Sequence, residues 1–186
     1  MIPPYVDESS EAQWSPAEEV LSLAKRKAHA FATRFPDTLL VGSDTLINLE
    51  GQKIGKPSSP ADAHRILGRL RGRSHHVLTA IAMLHAGSGM SFEWIESVQV
   101  RMRNFSDDEL NAYAASAEAQ DKAGAYCLQG QGGTLIEGLD GDYLGAVGLP
   151  LRAVAQGLRE MGVEIHVNVD TVYKERNFLN WQLYQP

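Results

Sequence analysis

The stretch Leu39-Leu40-Val41-Gly42-Ser43-Asp44-Thr45, with Gly51 and Ile54-Gly55-Lys56-Pro57 close behind it, decides how the chain reads. Three consecutive apolar residues bounded by turn formers predict a short buried strand. The small, polar run after them is not core material, so Asp44 is expected where the strand ends. Open α/β sheets place their ligand chemistry at such ends. Glu50-Gly51 predicts a hairpin turn, which returns Lys56 toward the same mouth. A carboxylate and an ammonium facing one cleft can handle a water and a polyanion. The first positions a metal or accepts a proton; the second neutralises phosphate charge. The plainer alternative is a turn-capping Asp44 and a solvated Lys56.

Upstream, Ser15, Pro16 and Glu18 spell a capping box that opens a helix. Val20, Ala24, Ala28, Phe31 and Phe35 follow at helical spacing and predict one apolar stripe. Lys27 falls inside that stripe, about 20° from Val20 at 100° per residue. It either snorkels past the core to water or reaches into a cleft. Residues 1–14, with Pro3-Pro4, predict an extended lead-in.

Downstream, Ser59-Pro60-Ala61-Asp62 caps a second helix carrying Ala63, Ile66, Leu67 and Leu70 and closed by Gly72. Two long strands are expected, His76 to Leu84 and Phe92 to Met102, joined through Ala86-Gly87-Ser88-Gly89. His75-His76, at the head of the first, reads as structural rather than as a ligand pair. Ser106 to Glu109 caps a short helix with Leu110 and Tyr113. From Asp121 to Gly148 glycine is dense, which marks sharp turns or a close approach of backbone to something else. A last helix is expected from Pro150 with Leu151, Val154, Leu158 and Met161, then a closing strand over Val163 to Val169. Phe178, Trp181 and Tyr184 in the tail either pack down or meet a partner.

The whole has 186 residues, 44% of them hydrophobic and 22% charged, as in an ordinary globular domain. No repeat, low-complexity segment or linker interrupts it, so one domain is expected over 1–170, with a tail of unassigned role over 171–186. The net charge of −6 argues against nucleic acid or an anionic membrane as partner, so an anionic substrate needs a local positive field. The single Cys127 excludes an intrachain disulfide, and no run approaches about 18 apolar residues. With no signal-peptide pattern at Met1–Glu8, a cytoplasmic protein is expected. No zinc-ligand spacing, P-loop lysine, G-x-G-x-x-G or G-x-S-x-G motif is present. What remains is Glu8, Lys27, Asp44, Lys56, Asp121 and Lys122, a set suited to metal-assisted attack of water on a phosphoric anhydride, with Mg²⁺ or Mn²⁺ on the carboxylates.

Taken in order, V-D-E-S (6–9), L-A-K-R-K-A (23–28), V-G-S-D-T (41–45), I-G-K-P (54–57) and L-R-G-R-S-H-H-V-L-T (70–79) resemble the Maf family of nucleoside triphosphate pyrophosphatases. The resemblance continues through D-K-A-G-A-Y-C-L-Q-G (121–130) and G-D-Y-L-G-A-V-G-L-P-L (141–151). It implies an α/β fold like that of Maf and inosine triphosphatase proteins, with a mixed sheet flanked by helices and a cleft between two lobes. It also implies hydrolysis of a nucleoside triphosphate to the monophosphate and pyrophosphate with a divalent cation. Asp44 matches the family's proton acceptor, and Glu8, Lys27 and Lys56 match its charged site positions. Glu8 and Asp44 are the metal candidates that follow, with Asp121 and Lys122 as secondary site residues.

Thr45 and Gln129 match two specificity positions. Their pairing resembles that of the branch acting on dTTP and UTP rather than on 7-methyl-GTP, in keeping with an amide's capacity to donate to and accept from a pyrimidine edge. Departures are Cys127 for a usual glycine or alanine, Gly145 for a usual asparagine, and an S-x-S-x-R-R strand and loop that has no counterpart here. That last departure predicts a first strand missing from the sheet and a weakened triphosphate clamp. The second reading is therefore a catalytically impaired relative that binds a nucleotide or a protein. A homodimer is expected by resemblance alone.

Overall fold

The computed structural model describes residues 6–7, 9 and 13–184. Five strands, β1 (Leu39–Leu49), β2 (Gln52–Ile54), β3 (Ser74–His85), β4 (Met90–Met102) and β5 (Ile136–Asp140), form one sheet in the order β2-β1-β3-β4-β5. Helices α1 (Pro16–His29), α2 (Pro60–Leu70), α3 (Asp107–Ala114), α4 (Tyr143–Val147), α5 (Leu151–Glu160) and α6 (Val169–Glu175) flank it. Every strand pairing described is antiparallel, so the mixed character expected of the sheet is not found among the described strands.

β1 runs well past the apolar triplet that announces it. Gly42 pairs with Ala82, Asp44 with Ala80 and Thr45 with Thr79, and the strand continues to Leu49. Asp44 is therefore mid-strand rather than at a strand end. The polar run ends the apolar pattern without ending the backbone ladder, because its side chains face a cleft while its amides still pair with β3. Glu50 and Gly51 both take positive φ, 54° and 82°, which gives the tight turn into β2.

Alternation along β3 sorts the core into two layers. Leu78, Ala80 and Ala82 face α1, whose Val20, Ala24 and Ala28 are buried against them together with Leu46. Small residues on both partners let helix and strand approach closely. A Cβ at Gly42 would collide with the backbone of Ala24 and Ala28, so this position of β1 accepts only glycine. The Ser15–Glu18 capping box forms as expected, but α1 ends at His29. Phe31 and Phe35 thus lie in the turns beyond it, half-buried, and do not extend the helical stripe.

On the opposite face, Ile47, Leu49, Val77, Val98, Val100 and Met102 join α2, α3 and a set of aromatic residues in the main core. The glycine-rich region folds into short 3-10 turns, Glu118–Gln120, Ala123–Ala125 and Gln131–Leu135, and then into β5 and α4. The strand expected over Val163 to Val169 is absent. Val163 and Val167 are exposed, and Asn168 accepts a bond from the Thr171 amide to start α6 instead. α6 runs across residue 170, where a domain boundary was expected. Beyond it, Trp181 stacks on Tyr143 at 5.1 Å, and both Trp181 and Tyr184 are buried in the main core. No helix among the described residues is long and apolar enough to cross a membrane.

Candidate functional site

A cleft of about 630 Å³ opens along β1. β2 pairs only with Ile47–Leu49, so among the described residues the outer edge of β1 ahead of Ile47 carries no strand. Side chains from both faces of β1 therefore reach the same space. That is how Asp44 and Thr45, which alternate across the sheet, both line one cleft.

The first wall is α1 on β1. Gly42 lets α1 lie directly on the strand, and Lys27, flanked in the helix by buried Ala24 and Ala28, comes down on Asp44. Lys27 Nζ and Asp44 Oδ1 form an ion pair whose side chains are only 21% and 13% exposed. Lys27 is thus the lysine that reaches into the cleft. Thr45 Oγ1 lies 2.8 Å from Thr79 Oγ1. Ser43 Oγ lies 3.0 Å from the Ala80 carbonyl and 2.9 Å from the Gly148 carbonyl, so its one proton bridges the sheet to the end of α4. Gly148 adopts φ 117°, beside Thr45.

The second wall is built from loops. The Gly124 amide donates to the Gly55 carbonyl at 3.0 Å, which joins the Lys56 segment to the Asp121–Lys122 segment. Lys56 Nζ donates to Asp121 Oδ1 at 3.2 Å, and Lys122 Nζ lies 3.7 Å from Asp121 Oδ2. The Lys56 hydrogen bond and charge, with Lys122 behind them, hold the Asp121 carboxyl below its usual range. Beneath this wall Tyr126 is anchored by its hydroxyl to His75 Nε2 at 2.8 Å. Burial, and secondarily His76, pushes the His75 pKa down to about 4, so the imidazole is neutral near pH 7. Its Nδ1 is buried without a partner among the described residues. A Tyr126 hydroxyl paired to a buried histidine marks a foundation of the fold, in keeping with the structural reading of His75.

Gln129 sits half-buried on the 127–133 loop, and its side-chain amide has no hydrogen bond within the described chain. The loop itself is tightly held. Glu118 accepts the amides of Gln131 at 3.1 Å and Gly132 at 2.9 Å, and the Tyr113 hydroxyl at 2.7 Å. Tyr113 in turn accepts the Cys127 amide at 3.0 Å. Burial alone would raise the Glu118 carboxyl, but the bonds from Gly132, Tyr113 and Gln131 outweigh it and hold the pKa down. Burial and Glu118 together push the Tyr113 phenol up, so it stays a donor.

Lys27, Asp44, Thr45, Lys56, Asp121, Lys122 and Gln129 therefore converge on one cleft. Glu8 lies outside the described residues. Sequence reasoning missed Ser43, Tyr113 and Glu118. Tyr113 looked like an apolar helix position, and Glu118 belongs to no local motif because its loop partners lie 13 and 14 residues away. Gly145, where the resemblance leads one to expect asparagine, packs on the Glu96 side chain with no room for a Cβ.

No group of three or more His, Cys, Asp or Glu side chains gathers among the described residues to cage a metal. Mg²⁺, however, is usually held by one or two carboxylates together with substrate phosphates and water. Asp44, presenting a carboxylate at the open edge of β1, fits that smaller requirement.

A second cavity of about 580 Å³ lies between β4 and α6. Its polar groups mostly serve one another: the Tyr173 hydroxyl donates to Asp142 at 2.6 Å, Trp94 Nε1 donates to Glu96 at 3.0 Å, and Arg152 lies 4.0 Å from the Tyr173 ring centroid.

Comparison with known proteins agrees with the motifs. The chain is 42% identical over 163 residues to a dTTP/UTP pyrophosphatase of Moorella thermoacetica, covering 88% of this chain and 84% of that protein. It is 41% identical over 162 residues to the enzyme of the same name from Symbiobacterium thermophilum, covering 87% and 82%. The corresponding Pyrococcus abyssi protein is 38% identical over 156 residues, covering 84% and 82%. The family model described as Maf-like protein matches residues 1–161, and with a strand-borne aspartate, its lysine partner and a glutamine loop gathered on one cleft, the chain belongs to the Maf-like family.

Proposed function

We propose that the cleft hydrolyses pyrimidine nucleoside triphosphates, dTTP and UTP in particular, to the monophosphate and pyrophosphate. One observation carries this reading. A shielded carboxylate–ammonium pair stands on one wall, while the other presents two exposed ammonium groups and an amide with no partner among the described residues. Relatives named dTTP/UTP pyrophosphatase, similar over most of their length, support the same reading.

Asp44 orients a water and accepts its proton as the water oxygen bonds to phosphorus at the α–β anhydride. The bond between that phosphorus and the bridging oxygen breaks, and pyrophosphate leaves. Lys27 fixes the Asp44 carboxylate from one side. Lys56 and Lys122 meet the charge on the phosphate oxygens. A divalent cation, when bound at Asp44, supplies further charge neutralisation to the same oxygens. Gln129 faces the base, where its amide can accept from the imide N–H and donate to a carbonyl of uracil or thymine. Thr45 lines the same cleft.

The test is pyrophosphate release from dTTP, UTP, CTP and 7-methyl-GTP by the protein and its Gln129→Glu variant. The unmodified protein should prefer dTTP and UTP. The carboxylate of the variant faces a base carbonyl with no proton between them, which costs roughly 1–3 kcal/mol in dTTP efficiency. Preference of the unmodified protein for the methylated purine would overturn the reading.

A further inference from the structure

We infer that Asn180, from the segment after α6, is a positioning residue for base selection: it pins the loop that carries Gln129. The inference rests on the reading of Gln129 as the base-facing residue. Asn180 Nδ2 lies 2.9 Å from the Leu128 carbonyl and 2.9 Å from the Gly130 carbonyl. These carbonyls flank Gln129. A primary amide nitrogen carries two protons, so both bonds form at once. Glu118 holds the amides of Gln131 and Gly132 on the same loop. The loop is therefore gripped through its carbonyls by one residue and through its amides by another.

The local backbone is shaped for this grip. Asn180 adopts φ 64° and ψ −8°, a left-handed conformation that asparagine tolerates better than most residues. It is held there from both sides in sequence. The Leu179 carbonyl accepts the Tyr143 hydroxyl, and Trp181 is buried and stacked on the Tyr143 ring. The Tyr184 hydroxyl donates to the Gly133 carbonyl at 2.9 Å, a third bond from this segment to the loop. A Cβ at Gly133 would come within 2.5 Å of Asn180 Nδ2, so the loop has glycine where the Asn180 amide lies. Leu179, Asn180, Trp181 and Tyr184 all lie beyond the segment matched by the family model, whereas the loop they hold lies within it.

Gly130, Gly132 and Gly133 would give an unpinned loop wide conformational freedom. Releasing the pin lets the Gln129 amide lose its place while Asp44 and Lys27, on the opposite wall, keep theirs. Base discrimination should then fall and the phosphoryl chemistry remain.

The test uses Asn180→Gly, which tolerates the left-handed backbone and removes only the amide, with Asn180→Asp and Tyr184→Phe as companions. Three quantities are measured on each: KM and kcat for dTTP, UTP and GTP; pyrophosphate release from inorganic tripolyphosphate; and hydrogen exchange of peptides spanning 127–133. Asn180→Gly should raise the KM for dTTP about tenfold, the value of roughly one good hydrogen bond's worth of positioning. It should narrow the dTTP/GTP ratio, speed exchange in the loop and leave the tripolyphosphate rate unchanged. Asn180→Asp should do the same, and Tyr184→Phe should do so more weakly. Unchanged exchange and discrimination in all three, with Gln129→Glu still shifting the base preference, would overturn the role of Asn180 and leave the base reading standing. Faster exchange without any shift in base preference, in these variants and in Gln129→Glu alike, would overturn both.

Discussion

The two walls of the cleft each carry a lysine–aspartate pair, and the pairs are physically unlike. Lys27 and Asp44 are 21% and 13% exposed on a helix and a central stretch of strand; Lys56 and Asp121 are 66% and 74% exposed on loops. Water and salt screen the second pair, so it contributes under about 1 kcal/mol and exchanges partners at little cost. In the proposed reaction Lys56 leaves Asp121 for a phosphate oxygen. The first pair is shielded and set by the close contact of α1 with Gly42, so it is suited to chemistry that needs fixed geometry. Identical residue types thus divide the labour by burial: one wall is preorganised, the other yields.

The division is broken most severely at Asp44. Asp44→Asn keeps the shape of the strand wall and removes its basicity, so turnover should fall by about a hundredfold or more. Melting temperature should fall by only a few degrees, because the asparagine oxygen still accepts from Lys27 although the charge of the shielded pair is lost. Comparing pyrophosphate release with thermal melting checks this, and an active variant would remove the strand wall from the chemistry.

The loop wall is weakest where its foundation titrates. His75 has its pKa lowered from 6.5 to about 4 by burial, so the neutral imidazole stabilises the fold fully above pH 6.5. That contribution is lost as pH falls toward 4, because the unfolded chain takes up the proton first. Between pH 7 and 4.5 the loss should be about 2–3 kcal/mol. Urea midpoints at the two pH values should show a clearly smaller drop for His75→Gln than for the parent.

The smallest effect sharpens the contrast. Asp121→Asn removes an exposed partner of Lys56 and Lys122 and should change stability by less than about 1 kcal/mol. It should lower the KM for dTTP by less than about fivefold, and more at low salt than at high, since the charge is exposed. A change as large as that at Asp44 would erase the distinction between the walls.

Much of this was legible where the signal is local. The Ser15–Glu18 box, the cap at Ser59, and the long hairpin from His76 through Met102 follow from spacing and turn chemistry alone. Asp44 and Lys56 stood out because a polar run interrupts an apolar one, whereas Gln129 came only from the resemblance to the Maf family. What failed did so for physical reasons. Val163, Ile165, Val167 and Val169 alternate like a strand, but Asn168 caps a helix before any sheet edge claims them. The apolar signal of β1 stops short because polarity ends the pattern without ending the pairing. Glu118 and Asn180 left no trace, since a contact 52 residues away, as from Asn180 to Leu128, has no period to detect.

The order of the sheet also sets an order of assembly. β3 and β4 meet through the short Ala86–Gly89 turn, so their pairing closes a small loop and is entropically cheap. β1 joins β3 next across a modest separation, bringing Asp44 into the sheet. The link from Ser43 to Gly148 spans 105 residues, and loop closure of that length is slow to be rewarded. The strand that carries Asp44 is thus an early piece of the folding chain, and its join to the end of α4 a late one. A refolding protein should acquire its hydrophobic sheet before the cleft along β1 is closed by Gly148.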